Sequence, residues 1–175
     1  MNQMNDMDTK RSLYEIEVAL ANHPSFSYIK NIVAFNVNGL GECLNINHEC
    51  DMLVLSKAGY LTEIEIKRSW SDFLADFKKE HSHESRGLIK YFYYCVPASI
   101  VDRVYDKLKE LEVSYTGVIT YDEELKLDIK GKWCYDGYYF VQQPHRKLFL
   151  EEQLQVARYG AMRAVALKQK LIRLK

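Results

Sequence analysis

The sequence predicts an α/β fold, with a mixed central sheet flanked by helices and a long helix at the C-terminus. Three observations lead there. Segments of helical and of strand periodicity run in the order helix, three strands, helix, strand, helix, strand, peripheral hairpin, helix. The second and third strands meet at Lys57-Ala58-Gly59, a hairpin turn. The chain has 175 residues, 47% of them hydrophobic, which is enough to build a sizeable core in a single domain.

Asp8 to Asn22 reads as the first helix, with Asp8 or Thr9 as its cap and His23-Pro24 as its stop. Leu13, Ile16 and Leu20 form its apolar stripe. Glu17 falls on that same stripe, whereas Glu15 points nearly opposite. Tyr28 to Val37 is a strand rich in β-branched and aromatic residues, and Gly39 and Gly41 mark a turn. His48 to Ser56 is the second strand, almost continuously apolar from Met52 to Leu55, and Tyr60 to Arg68 is the third. A turn centred near Ala58 sets Asp51 opposite Glu65 or Ile66.

Ser71 is expected to cap a helix from Asp72 to Lys79, with Phe73 and Phe77 facing inward. A polar stretch, Glu80 to Gly87, follows. Leu88 to Val96 is a strongly apolar strand ended by Pro97, Ala98 to Leu111 an amphipathic helix, and Thr116 to Tyr121 a short buried strand. Lys126 to Ile129 and Lys132 to Val141 are peripheral strands, with Asp136-Gly137 as a hairpin turn. Leu148 to Leu174 is the last helix, its stripe of Leu150, Leu154, Ala157, Ala161, Val165 and Ile172 expected to pack on the body. One domain over 1–175 is expected, with a core over roughly 9–122 and the peripheral hairpin and C-terminal helix over 123–175.

Composition narrows the function. Formal net charge is zero, which argues against a protein coated in basic surface but leaves room for a local basic patch. No apolar run reaches the length of a membrane span, and Met1 to Arg11 lacks the apolar stretch of a signal peptide, so a cytoplasmic location is expected. Cys43, Cys50, Cys95 and Cys134 are scattered with no Cys-x-x-Cys pair, which disfavours a zinc ribbon and suits buried free thiols. Gly39-Leu40-Gly41 lacks the further glycines and the lysine of a nucleotide-binding loop.

The third strand carries the chemistry. In Glu63-Ile64-Glu65-Ile66-Lys67 the charged residues share one face and the isoleucines fill the other. Asp51 and Glu65 offer hard oxygen ligands for Mg²⁺ or Mn²⁺, and the Ile66 carbonyl offers another. Lys67 adds an ammonium on the same face, suited to holding a water or neutralising a phosphate. Glu63 reads as a neighbour rather than a primary ligand. The competing reading is an exposed strand with surface ion pairs, which contribute little.

This arrangement resembles the PD-(D/E)xK nuclease superfamily, in which an Asp begins the second core strand and Glu-x-Lys lies on the third. Here those are Asp51 and Glu65-Ile66-Lys67, with Cys50 where the signature has Pro. His48-Glu49-Cys50-Asp51 through Lys67, followed by Ser69 and Ser71-Asp72-Phe73, is similar to the MmcB-like group of DNA-repair-associated and phage-borne proteins. The resemblance implies a restriction-endonuclease-like αβββαβ core and Mg²⁺-dependent hydrolysis of DNA in repair, recombination or phage biology. It implies a further acidic residue from the opening helix, matched by Glu17 and secondarily by Glu15. A homodimer is compatible with it and not demanded.

Other residues bear on partners. Lys78 and Lys79 end a helix, where cations complement the dipole, or they touch a DNA backbone. Arg86 and Lys90, with His81 and His83, suit phosphate contact or a plain polar surface. His48 reads as a supporting or structural histidine. Arg158, Arg163, Lys168, Lys170, Arg173 and Lys175 give the last helix a basic character that suits a phosphate backbone or solvent. Trp133, Tyr135, Tyr138, Tyr139 and Phe140 suit base stacking or cross-strand pairing. The alternatives to a nuclease are a catalytically inactive nucleic-acid-binding module on the same fold and a protein-interaction domain.

Overall fold

The computed structural model describes residues 11–37, 44, 46, 48–77, 88–129 and 145–173. Helix α1 (Leu13–Asn22) leads into β1 (Ile32–Val37), β2 (Cys50–Leu55) and β3 (Leu61–Ile66). Then come α2 (Trp70–Asp76), β4 (Ile89–Pro97), a single 3₁₀ turn (Ala98–Ile100), α3 (Val101–Glu110), β5 (Thr116–Tyr121), β6 (Leu127–Ile129) and α4 (Leu150–Arg173). The strands form one mixed sheet in the order β1-β2-β3-β4-β5-β6. The β1–β2, β2–β3 and β5–β6 pairs are antiparallel, and β3–β4 and β4–β5 are parallel. Each parallel pair is joined through a helix, as a crossover requires. The α/β fold and its αβββαβ order are those expected.

The sheet is covered on both faces. Ile16, Leu20 and Ala21 of α1 pack with Met52, Val54, Ile64, Ile66, Tyr93 and Cys95 on one side. Phe73 of α2, Val104 and Leu108 of α3, and Val156 of α4 pack on Leu53, Leu55, Leu61, Phe92 and Tyr94 on the other. Fully burying each such side chain contributes about 1.5–3 kcal/mol. Coverage on both faces is why β2 reads as a continuous apolar run. No helix among the described residues is long and apolar enough to cross a membrane.

Local chemistry moves several boundaries. Ser12 caps α1 in a capping box with Glu15, so Glu15 is spent at the helix start. Residues Asp8 and Thr9 lie outside the described residues. β1 starts at Ile32 rather than Tyr28, because the backbone N–H groups of Lys30 and Asn31 bond to the Ser27 carbonyl and hold a turn. Ser69, not Ser71, caps α2 by accepting from the Asp72 N–H at 3.2 Å, while the Asp72 carboxylate accepts from the Arg68 N–H at 2.9 Å. The reciprocal pair starts the helix two residues before the expected position.

The expected stripe of α4 is also revised. Leu150, Leu154, Val165 and Ile172 are exposed. The helix instead seats Val156 and Gly160 on the sheet. A Cβ at Gly160 would lie 3.2 Å from the Val33 carbonyl oxygen and 3.5 Å from the Ala34 Cβ. Close approach of backbone to β1, rather than bulk of side chains, selects that face. The hairpin around Asp136-Gly137 with its aromatic residues, the Gly39 and Gly41 turn, Cys43 and Cys134 all lie outside the described residues. Cys50 and Cys95 are buried free thiols, as expected.

Candidate metal centre at the end of the sheet

The β2–β3 ladder pairs Leu55 with Leu61 and runs to Met52 opposite Ile64, where the regular pairing stops. One step further the same register sets Asp51 opposite Glu65. There side chains replace the ladder. The Asp51 carboxylate accepts from the Ile66 N–H at 2.8 Å, and the Asp51 N–H donates to Glu65 Oε1 at 3.4 Å. A residue's N–H and C=O point to the same flank of a strand, so the Ile66 carbonyl faces the Asp51 side as well. The Lys67 N–H turns the other way, to the Cys95 carbonyl of β4 at 2.9 Å.

Glu63, Glu65 and Lys67 share one face, as alternation requires, and all are buried. This excludes the exposed-strand reading, because the face that carries them lies under α2. The Lys67 ammonium donates to Glu65 Oε2 at 2.9 Å and to Asp76 Oδ1 at 2.8 Å. Tyr94 donates its hydroxyl to the other Asp76 oxygen at 2.8 Å. On the opposite flank, Glu17 of α1 is 5% exposed and accepts from the Asn36 amide at 2.6 Å. Asn36 adopts a left-handed backbone, φ 49°, which Asn tolerates better than other residues with a side chain. His48 Nε2 meets Glu63 Oε1 at 2.5 Å.

The fields follow from this packing. Burial pushes the Glu65 carboxyl up to about 7, Asp51 adds repulsion, and Lys67 opposes both. Burial raises Asp51 against the opposing Ile66 N–H, and raises Glu17 against its bond from Asn36. For Lys67 burial alone pulls the ammonium down, but the Glu65 and Asp76 carboxylates outweigh it and hold it above its ordinary value. Lys67 therefore keeps its proton at neutral pH and acts as a charge.

Glu65 and Asp76 thus hold the ammonium of Lys67, Glu63 meets the imidazole of His48, Asp51 lies beside Glu65, and Glu17 feels the fields of Asp51 and of Arg163 of α4. Buried acid outweighs buried base among the described residues. A divalent cation answers that imbalance, and the oxygens of Asp51, Glu65 and the Ile66 carbonyl are the hard donors Mg²⁺ and Mn²⁺ take. The donor set fits the ion.

Sequence reasoning found Glu17, Asp51, Glu65, Ile66 and Lys67, and these come together. It missed Asp76, although Asp76 lies three residues after Phe73 on the buried side of α2, the same signal that singled out Glu17. Asn36 and Tyr94 were missed too, and only the folded register brings them in. Lys90 lies away from the site. It is the extra residue at a β3–β4 irregularity, between Ile89 opposite Leu61 and Tyr91 opposite Thr62. Its ammonium sits 3.9 Å from the Tyr60 ring centroid, beside a cavity of about 450 Å³ that Phe26, Thr62 and Tyr93 help to line. Lys78, Lys79, His81, His83 and Arg86 lie outside the described residues.

No family model matches the chain, and no curated protein matches it. Among solved structures, a protein of unknown function from Silicibacter pomeroyi is similar, with a TM-score of 0.55 and 19% identity over 95% of this chain and 92% of that one. That likeness extends over nearly the whole of both chains and shows the α/β fold.

Proposed function

We propose that this chain is a metal-dependent nuclease of the PD-(D/E)xK pattern, acting on DNA in the cytoplasm during repair, recombination or phage growth. The observation that carries the reading is the meeting of Asp51, Glu65 and the Ile66 backbone where the ladder stops, with the Lys67 ammonium 2.9 Å from Glu65. Asp51, Glu65 and the Ile66 carbonyl would hold Mg²⁺ or Mn²⁺, which supplies Lewis acidity toward the phosphate and acidifies water. Lys67 compensates the negative charge that gathers on the phosphate oxygens and orients the attacking water through its N–H groups. Asp76 and Tyr94 fix the ammonium in place. Glu17, braced by Asn36, supplies the further carboxylate that tunes the first ligands. A homodimer is compatible, with one site for each strand of a duplex.

Calorimetric titration of Mn²⁺ tests the site. Wild type is expected to bind and the Asp51→Ala/Glu65→Ala double variant to lose binding. Plasmid DNA with Mg²⁺ or Mn²⁺ tests the reaction, with cleavage expected for wild type alone. Absence of Mn²⁺ binding, even with duplex DNA present, overturns the proposal. Metal binding without cleavage of any DNA form favours the inactive nucleic-acid-binding module.

A further inference from the structure

Beside the oxygen ligands lies a cluster of different chemistry. His48, Cys50 and Glu63 bring an imidazole nitrogen, a thiol sulfur and a carboxylate oxygen within 4.8 Å of one another. Cys50 and Glu63 are both fully buried, and the His48 side chain is 12% exposed. His48 and Cys50 are two residues apart, just before and at the start of β2, so an extended chain projects both to one side. Glu63 comes from the neighbouring strand. We propose that His48, Cys50 and Glu63 form a metal site for a thiophilic divalent cation of the Zn²⁺ class.

Tetrahedral zinc with nitrogen, sulfur and oxygen ligands needs ligand atoms about 3.3–3.7 Å apart. His48 Nε2 and Glu63 Oε1 at 2.5 Å part slightly to admit the ion, and the sulfur closes in. As the ion enters, the Cys50 thiol proton and the proton shared between His48 Nε2 and Glu63 Oε1 leave to solvent, which frees the thiolate, the Nε2 lone pair and the carboxylate oxygen as ligands. A thiolate selects against Mg²⁺, and the oxygen set around Asp51 selects for it. The site also has a structural use. Cys50 and Glu63 lie on β2 and β3 next to the point where their ladder stops, so the ion clips the strands together and holds Asp51 against Glu65. The inference uses none of Asp51, Glu65 and Lys67 as ligands and stands whether or not the chain cuts DNA.

Co²⁺ added to metal-free protein is the probe. One equivalent is expected to give a sulfur-to-cobalt charge-transfer band in the near ultraviolet, bleached by Zn²⁺. The band is expected to survive in Asp51→Ala/Glu65→Ala and in Cys95→Ser, and to vanish in the nearly isosteric Cys50→Ser, with folding checked by circular dichroism. His48→Gln, which keeps a donor for Glu63 but not the imidazole, is expected to weaken Co²⁺ at least about tenfold. No band in folded wild type overturns the proposal and leaves a hydrogen bond between His48 and Glu63 only. An undiminished band in Cys50→Ser overturns it as well.

Discussion

The two ends of the β3–β4 pair each hold a lysine, and the surroundings differ in kind. Lys67 is 4% exposed and lies between the carboxylates of Glu65 and Asp76. Lys90, about 20 Å away along the strands by their rise per residue, rests on the rings of Tyr60 and Tyr91. A cation on an aromatic face at a partly open site is worth about 0.5–1 kcal/mol and stabilises the fold. A cation buried with carboxylates gains little net stability after desolvation. The proposed chemistry would account for an arrangement at Lys67 that costs desolvation and returns little stability, whereas the aromatic contacts of Lys90 are accounted for by stability alone.

Replacing Lys67 gives the largest contrast. Lys67→Ala is expected to lower DNA cleavage by about 100- to 1000-fold, the usual effect of removing a charge that stabilises a transition state. It also leaves Glu65 and Asp76 buried without their cation, at a cost of about 3–5 kcal/mol. Urea denaturation separates the two effects, since cleavage is assayed where the variant remains folded. A folded Lys67→Ala that cuts as wild type does would erase the distinction between the two lysines.

The charged end should also make stability depend on pH. Burial, with repulsion from Asp51, raises the folded Glu65 carboxyl from 4.5 to about 7. Between those values the folded protein holds a proton that the unfolded chain has released. Stability contributed by this group is therefore present below about pH 4.5, declines as pH rises to about 7, and is level above. Urea midpoints measured in chelator across this window are expected to fall in wild type and to fall less in Glu65→Gln. Mn²⁺ competes with the proton and is expected to reverse the trend. A wild-type slope identical to that of Glu65→Gln would remove Glu65 as its source.

Positioning around Lys67 is expected to matter less than Lys67 itself. Tyr94→Phe removes the hydroxyl donated to Asp76 at 2.8 Å and is expected to cost about 0.5–1.5 kcal/mol of stability. Cleavage should fall through kcat with KM nearly unchanged, because the ammonium loses its fixed place while the phosphate-binding surface stays. A rise in KM alone would make Tyr94 a packing residue.

How much of this was legible in the sequence depends on the range of the signal. The Lys57-Ala58-Gly59 turn and the alternation of β3 are local, so the sequence places Asp51 opposite Glu65 or Ile66, and only the folded ladder selects Glu65. Glu17 was legible as an acid on an apolar helical stripe. Asp76 carries the same signal, three residues after the inward-facing Phe73. The pairing of His48 with Glu63 needs a register fifteen residues long. The seat of α4 differs from the stripe the sequence predicts because Gly160 works by lacking a side chain, while Leu150, Leu154 and Val165 are left to solvent.

The smallest expected effect sharpens the comparison most. The sequence offers Lys90 for phosphate contact or for a plain polar surface. The β3–β4 irregularity gives Lys90 no partner residue on β3, and its ammonium rests over the Tyr60 ring beside a partly aromatic cavity. Lys90→Ala is therefore expected to lower stability by about 0.5–1 kcal/mol, read as a shifted urea midpoint. Cleavage should stay within about twofold, and the salt dependence of DNA binding should keep its slope, since no phosphate contact is lost. A slope reduced by about one ion in Lys90→Ala would bring DNA across both ends of the strand pair. The aromatic end would then be part of the same binding track.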